Sequence, residues 1–168
     1  MTPSPDPPLA PDEQVAAGGE REVLETFLDL YRAIVVRKVS GLPAEAARRR
    51  LVPSSTTLAG LVRHLASVER EWFGGVLAER PVAGAAGDGW NVDDVTDVET
   101  LVADYERACA ESRRVAARFA LDGTVPMPRL GRVSLRWIYV HLIEETARHA
   151  GHADILREQV DGATGFDG

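Results

Sequence analysis

The sequence predicts an all-α protein, a four-helix bundle. Four long segments repeat their apolar residues at helical spacing, no segment alternates apolar and polar residues as a strand does, and the connections between the four differ in length. The 168 residues suit one domain with a sizeable core. Residues 1–19 hold five of the ten prolines and read as a disordered or loosely attached tail, leaving 20–168 as a single helical domain.

The four helices are expected over roughly residues 20–40, 56–79, 97–120 and 134–160. In the first, Val23, Phe27, Leu30, Ile34 and Val35 form the apolar stripe, and Gly41 with Pro43 ends it. Pro43 can open a short run through Arg50 whose three arginines face solvent. Ser54, Ser55, Thr56 and Thr57 supply the start of the second helix, whose face is Leu58, Leu61, Leu65, Val68 and Trp72. Residues 80–96, rich in Gly, Pro and Asp, read as a long connection, in which Trp90 either plugs the bundle end or rims a pocket. Asp97 is an adequate N-cap for the third helix, which carries Val98, Leu101, Val102, Tyr105 and Cys109. Two prolines and two glycines make 121–133 a loop, and Ser134 caps the fourth helix. The last residues, DGATGFDG, read as a frayed tail.

The net charge of −7 argues against nucleic-acid binding, which needs a basic surface. The single cysteine excludes an intrachain disulfide and a CxxC zinc site, and its amphipathic setting reads as a packed thiol. No apolar run is long enough to span a membrane, and the N-terminus carries no export signal, so a cytoplasmic protein is expected.

Three of the four histidines lie in the last helix, with Glu145 among them. With Glu145 set at 0°, Ile138 falls at about +20°, His149 at about +40° and Leu142 at about +60°. Glu145 and His149 therefore point into the apolar stripe, where a carboxylate is costly unless a metal ion, an arginine or a water network compensates its charge. Their four-residue spacing stacks them one turn apart, within reach of one ion. A third ligand has to come from another helix, and His64 is the only histidine elsewhere. Three protein ligands plus an open position is the usual plan of a catalytic zinc site. His152 and His141 compete: His152 reads as an outer partner or pocket lining, His141 as a boundary histidine. Glu71 could orient His64 or act as a base, and Glu71 and His152 are the candidates for a catalytic role.

The segment TTLAGLVRHLASVEREWF, followed far downstream by HLIEETARHAGHADILRE, resembles the DinB/YfiT-like superfamily, above all the actinobacterial branch near the N-terminal domains of mycothiol-dependent maleylpyruvate isomerases. The resemblance covers about residues 20–165. It implies a four-helix bundle of up-down-down-up topology, which makes the 80–96 connection a crossing. By motif it carries over His64, Glu145 and His149 as ligands of a divalent metal, zinc or nickel. It also implies a low-molecular-weight thiol such as mycothiol as cofactor, a small-molecule electrophile as partner, and a homodimer formed through helix faces. The activity it implies is a thiol S-transferase using a thiolate or a water nucleophile. The competing expectation is a non-enzymatic metal-binding or stress-response protein.

Overall fold

Thr57, Asp97 and Ser134 each take an extended backbone conformation, carry a side chain that can accept a backbone N–H, and open a helix. In the computed structural model, which describes residues 8–81, 90, 92–93 and 96–165, Thr57 Oγ1 accepts from the Gly60 N–H at 3.0 Å, Asp97 Oδ1 from Thr100 at 2.6 Å and Ser134 Oγ from Trp137 at 3.2 Å. Each bond satisfies one of the donors a helix start leaves free. The helices are α1 (Pro11–Gln14), α2 (Glu20–Val39), α3 (Ala44–Ala47), α4 (Leu58–Glu69), α5 (Val98–Ala116) and α6 (Leu135–Asp161). A π-helical segment, Arg70–Leu77, continues α4. Gly162, at φ +81°, ends α6 in the left-handed conformation that glycine adopts without strain. Among the described residues no helix is long and apolar enough to cross a membrane. Residues 1–7 of the expected tail, most of the 80–96 connection and the last three residues lie outside the described residues.

α2 packs along α6 and α4 along α5, and α4 also touches α6. The four long helices stand close to the expected bounds. Residues 121–133 differ: the expected loop contains a hairpin, β1 (Thr124–Met127) against β2 (Gly131–Ser134), antiparallel, with Val125 opposite Val133. Those two valines are buried while Pro126 and Arg132 face out, so the alternation exists but spans only four residues per strand. Pro126 is tolerated because a two-stranded ribbon has only edge strands.

The apolar stripe of α2 also differs. Its buried line is Leu28, Arg32, Ile34, Val35, Lys38 and Val39, whereas Val23, Phe27 and Leu30 are only half-buried. Two cations turn this face inward because each finds a partner. Arg32 forms two bonds to Glu69, Nε to Oε1 at 2.8 Å and Nη2 to Oε2 at 2.6 Å. Lys38 pairs with Asp154 at 2.9 Å and donates to the Gly165 carbonyl.

The core accordingly has two apolar halves. One gathers Val35, Leu61, Leu65, Tyr105 and Leu156; the other gathers Leu28, Phe73, Leu77, Ile138 and Leu142 beneath the hairpin. Arg32, Ser112 and Thr146, all buried, occupy the chain positions between the halves on α2, α5 and α6, and buried Glu69 on α4 follows Val68, where the second half begins. The candidate site sits on α4 and α6 near this polar level.

Candidate metal centre

α4 and α6 each present a ridge of residues four apart, the spacing that stacks side chains on one helix face. On α4 and its π continuation the ridge is Gly60, His64, Val68 and Trp72; on α6 it is Trp137, His141, Glu145 and His149. His64 meets Glu145 and His149, while Trp72 meets His141 and Trp137, so the ridges run antiparallel.

At the centre of this seam, Glu145 Oε1 lies 3.2 Å from His64 Nε2 and 3.2 Å from His149 Nε2. An ionised carboxylate only accepts, so both Nε2–H groups donate to it. One ligand atom from each of the three residues lies within 4.8 Å of the others. Bonds of about 2.0–2.1 Å in a tetrahedral zinc site separate neighbouring ligand atoms by roughly 3.3 Å, close to the two distances to Glu145. Two imidazoles and one carboxylate form a donor set that suits a divalent ion, and the residues present fit one.

Electrostatics agree with that fit. Burial pushes the Glu145 carboxyl up, but the His64 hydrogen bond and the proximity of His149 outweigh it and hold the pKa below the usual glutamate value. His149, 7% exposed, is held below the usual histidine value by burial, against the opposing pull of Glu145. Both shifts favour a charged carboxylate and a neutral His149 ring, the forms in which the two groups can bind a divalent ion.

His152 is exposed, and its Nδ1 lies 3.2 Å from Nδ1 of His149, the nitrogen on the side away from Glu145. It thus meets the back of a candidate ligand, not the point where the three donors converge. Glu71 is exposed on the π segment, while His64 pairs with Glu145. Burial holds His141 below the usual histidine value, against the charges of Glu145 and Glu71.

Trp90 stacks on His64 with ring centroids 4.5 Å apart and an interplanar angle of 12°, and presents an edge to His149 at 5.6 Å. Of the two roles expected for Trp90, this one borders the site. Gly60, one turn before His64, permits the approach: a Cβ there would lie 2.8 Å from the Trp90 carbonyl oxygen. Spacing alone does not link Trp90 to Gly60 or His64, nor Trp72 to Trp137 and His141, although the four-residue ladder on α6 is legible in the sequence.

Cavities of about 380 and 860 Å3 open against α2 and do not include the triad. The smaller is lined by Asp29, Arg32 and Arg113, whose charges already satisfy one another. The chemistry therefore places the candidate site at the seam rather than in the larger hollows.

Comparison with protein families matches residues 23–162 to the family described as Mycothiol-S-transferase, MST. The chain belongs to the mycothiol-S-transferase family. This is a DinB/YfiT-like family, in agreement with the resemblance carried by the α4 and α6 motifs. The matched residues contain the whole triad, with Trp90 and His152 as well. Comparisons with curated proteins and with solved structures return no match.

Proposed function

We propose that this chain is a divalent-metal-dependent S-transferase that joins a low-molecular-weight thiol of the mycothiol type to a small electrophile, working as an up-down-down-up four-helix bundle in the cytoplasm. The observation that carries the reading is the convergence of His64, on α4, with Glu145 and His149, 81 and 85 residues downstream on α6, in a chain of this family. Zinc or nickel bound there supplies Lewis acidity, which makes a thiol or water brought to it a better nucleophile at neutral pH.

The chain's own groups do the rest. Glu145 supplies the negative charge that makes the site selective for a cation. His149 presents a neutral ring. When its Nε2 is given to an ion, the ring proton resides on Nδ1, and His152 becomes the acceptor that fixes the ring's orientation. Trp90 lies flat against His64 and limits water on that side. In the transfer, the thiol loses its proton and the sulfur forms a bond to the electrophilic carbon, whose leaving group departs with the bonding pair. Glu71, exposed on the π segment, and His152, against the back of His149, both stand off the point where the three donors converge, so the proton leaves to solvent water.

The test is titration calorimetry with zinc and with nickel on protein purified without a metal-affinity tag. One ion per chain is expected, lost in His64→Ala and in His149→Ala and retained in His141→Ala. Mass spectrometry of a mycothiol–electrophile mixture should then show the thioether only with metal-loaded protein. Parent-like metal binding by both histidine variants refutes the reading.

A further inference from the structure

The seam between α4 and α6 does not stop at the triad. Trp137 and His141 lie eight and four residues before Glu145 on the same ridge, which puts them about 12 and 6 Å from it along the helix axis. Their rings stack with centroids 5.1 Å apart at an interplanar angle of 18°. Trp72, from the π segment, closes the third side, with centroids 4.6 Å from His141 and 5.4 Å from Trp137. A π turn is wider than an α turn and often marks a functional position. Here it aligns Trp72 with the His64 ridge while Phe73 and Leu77 stay in the core. Trp137 remains 41% exposed, an unusual state for the largest aromatic side chain when a core lies beneath it.

We infer that Trp72, Trp137 and His141 form a binding platform for a planar, uncharged, apolar ring of the electrophile, whose reacting atom then lies toward Glu145 and His149. The inference rests on the S-transferase reading and adds the substrate class to it. The platform's size argues for a small molecule. Three partly open rings offer on the order of 250 Å2, whereas a stable protein interface needs about 800 Å2 from each partner. Charge lies close by: Glu71 and Arg148 act electrostatically on His141, and Arg148 pairs with Glu144. Aromatic faces bind flat apolar rings through offset stacking, and two walls meeting at an angle, as Trp72 does with His141 at 64°, make a corner rather than a flat surface.

Equilibrium dialysis of the full chain with meta-dinitrobenzene, a planar uncharged ring, tests this without any reaction. Saturable binding of one molecule per chain is expected. Trp137→Ala and His141→Ala should each weaken it about tenfold or more, as loss of a stacked ring does. Val140→Ser, an exposed α6 position off the ridge, should leave it unchanged. His64→Ala should leave dinitrobenzene binding within about twofold of the parent while abolishing zinc binding, so failure of the metal reading and failure of the platform are separate results. Trp137→Ala is the safest variant for folding, being the most open of the three rings, and circular dichroism confirms that each variant is folded. The inference is overturned by no saturable binding, by parent-like affinity in the platform variants, or by displacement of the probe by methyl glucoside. A sedimentation mass that halves in Trp137→Ala, with probe affinity unchanged, also overturns it and assigns the face to contact between two copies.

Discussion

Cys109 is the chain's one thiol, and its surroundings exclude it as the nucleophile. It is 4% exposed in the core half that holds Tyr105 and Leu65. Burial, and then the nearby charge of Glu69, push its pKa up to about 12. A raised thiol pKa means that the reactive thiolate is scarce at every pH below that value. An S-transferase with this interior must take its thiol from outside, as the family name implies. Cys109→Ala should therefore keep metal binding and conjugation within about twofold, at a modest cost in stability of about 1 kcal/mol. Native protein should resist Ellman's reagent at pH 8 and react stoichiometrically in denaturant. Rapid labelling of the native chain, or loss of conjugation in Cys109→Ala, rejects the external-thiol reading. At this scale the sequence was informative where spacing alone decides. Glu145 and His149 lie one turn apart on any helix, so their pairing was legible. The contact between Trp90 and His64 was not, because it depends on where a long connection returns and on Gly60 leaving room for it.

Among elements, the tie between α2 and α4 is the Arg32–Glu69 pair, with side chains 6% and 1% exposed. Removing one partner leaves the other charged and buried, so Arg32→Ala should cost about 3–5 kcal/mol in urea unfolding, whereas Arg32→Met with Glu69→Leu should fall within about 1.5 kcal/mol of the parent. A double variant as unstable as the single one would show that the pair itself, not the unpaired charge, supports the fold. Asp29 extends this network to Arg32 at 2.8 Å and to Arg113 at 2.8 Å. Burial raises its pKa, but the bonds from Arg113 and Arg32 outweigh that and hold it below the usual aspartate value. A depressed folded pKa means the unfolded chain takes the proton more readily. The Asp29 contribution is thus full above about pH 4 and is lost as pH falls through the folded pKa. Asp29→Asn should lower stability at pH 7 and flatten the decline below about pH 4; an unchanged acid limb rejects this role. The same network explains why α2 was misread. Periodicity located the helix but ranked Phe27 and Leu30 above Arg32, since an arginine turns inward only when a carboxylate on another helix waits for it. The hairpin was hidden by its four-residue strands, and the π segment by a sequence, REWFGGVL, whose apolar positions also suit an α-helix.

For the whole molecule, the triad joins α4 to α6 across 81 residues of chain, and most of the described core lies on one side or the other of that junction. An unfolded chain cannot hold His64 near Glu145, so an ion bound by all three prefers the folded state. Such a ligand stabilises by RT ln(1 + [L]/Kd), about 2.7 kcal/mol at a hundredfold excess over Kd. For a chain of this size each kcal/mol moves Tm by about 2–4 °C, so zinc at that excess should raise Tm by about 5–10 °C. The rise should reverse on adding a chelator and be absent in His64→Ala and His149→Ala. His152→Ala discriminates between two arrangements. Through its contact with His149 Nδ1 it orients a ligand without being one, and loss of such an outer partner typically weakens metal affinity 10–100-fold. At fixed zinc this predicts a Tm rise that is reduced but not abolished, and restored at higher zinc. A rise abolished at every zinc concentration makes His152 a ligand, whereas a rise identical to the parent's removes it from the site. A Tm rise that persists in the His64 and His149 variants places the ion elsewhere and ends the case for this triad.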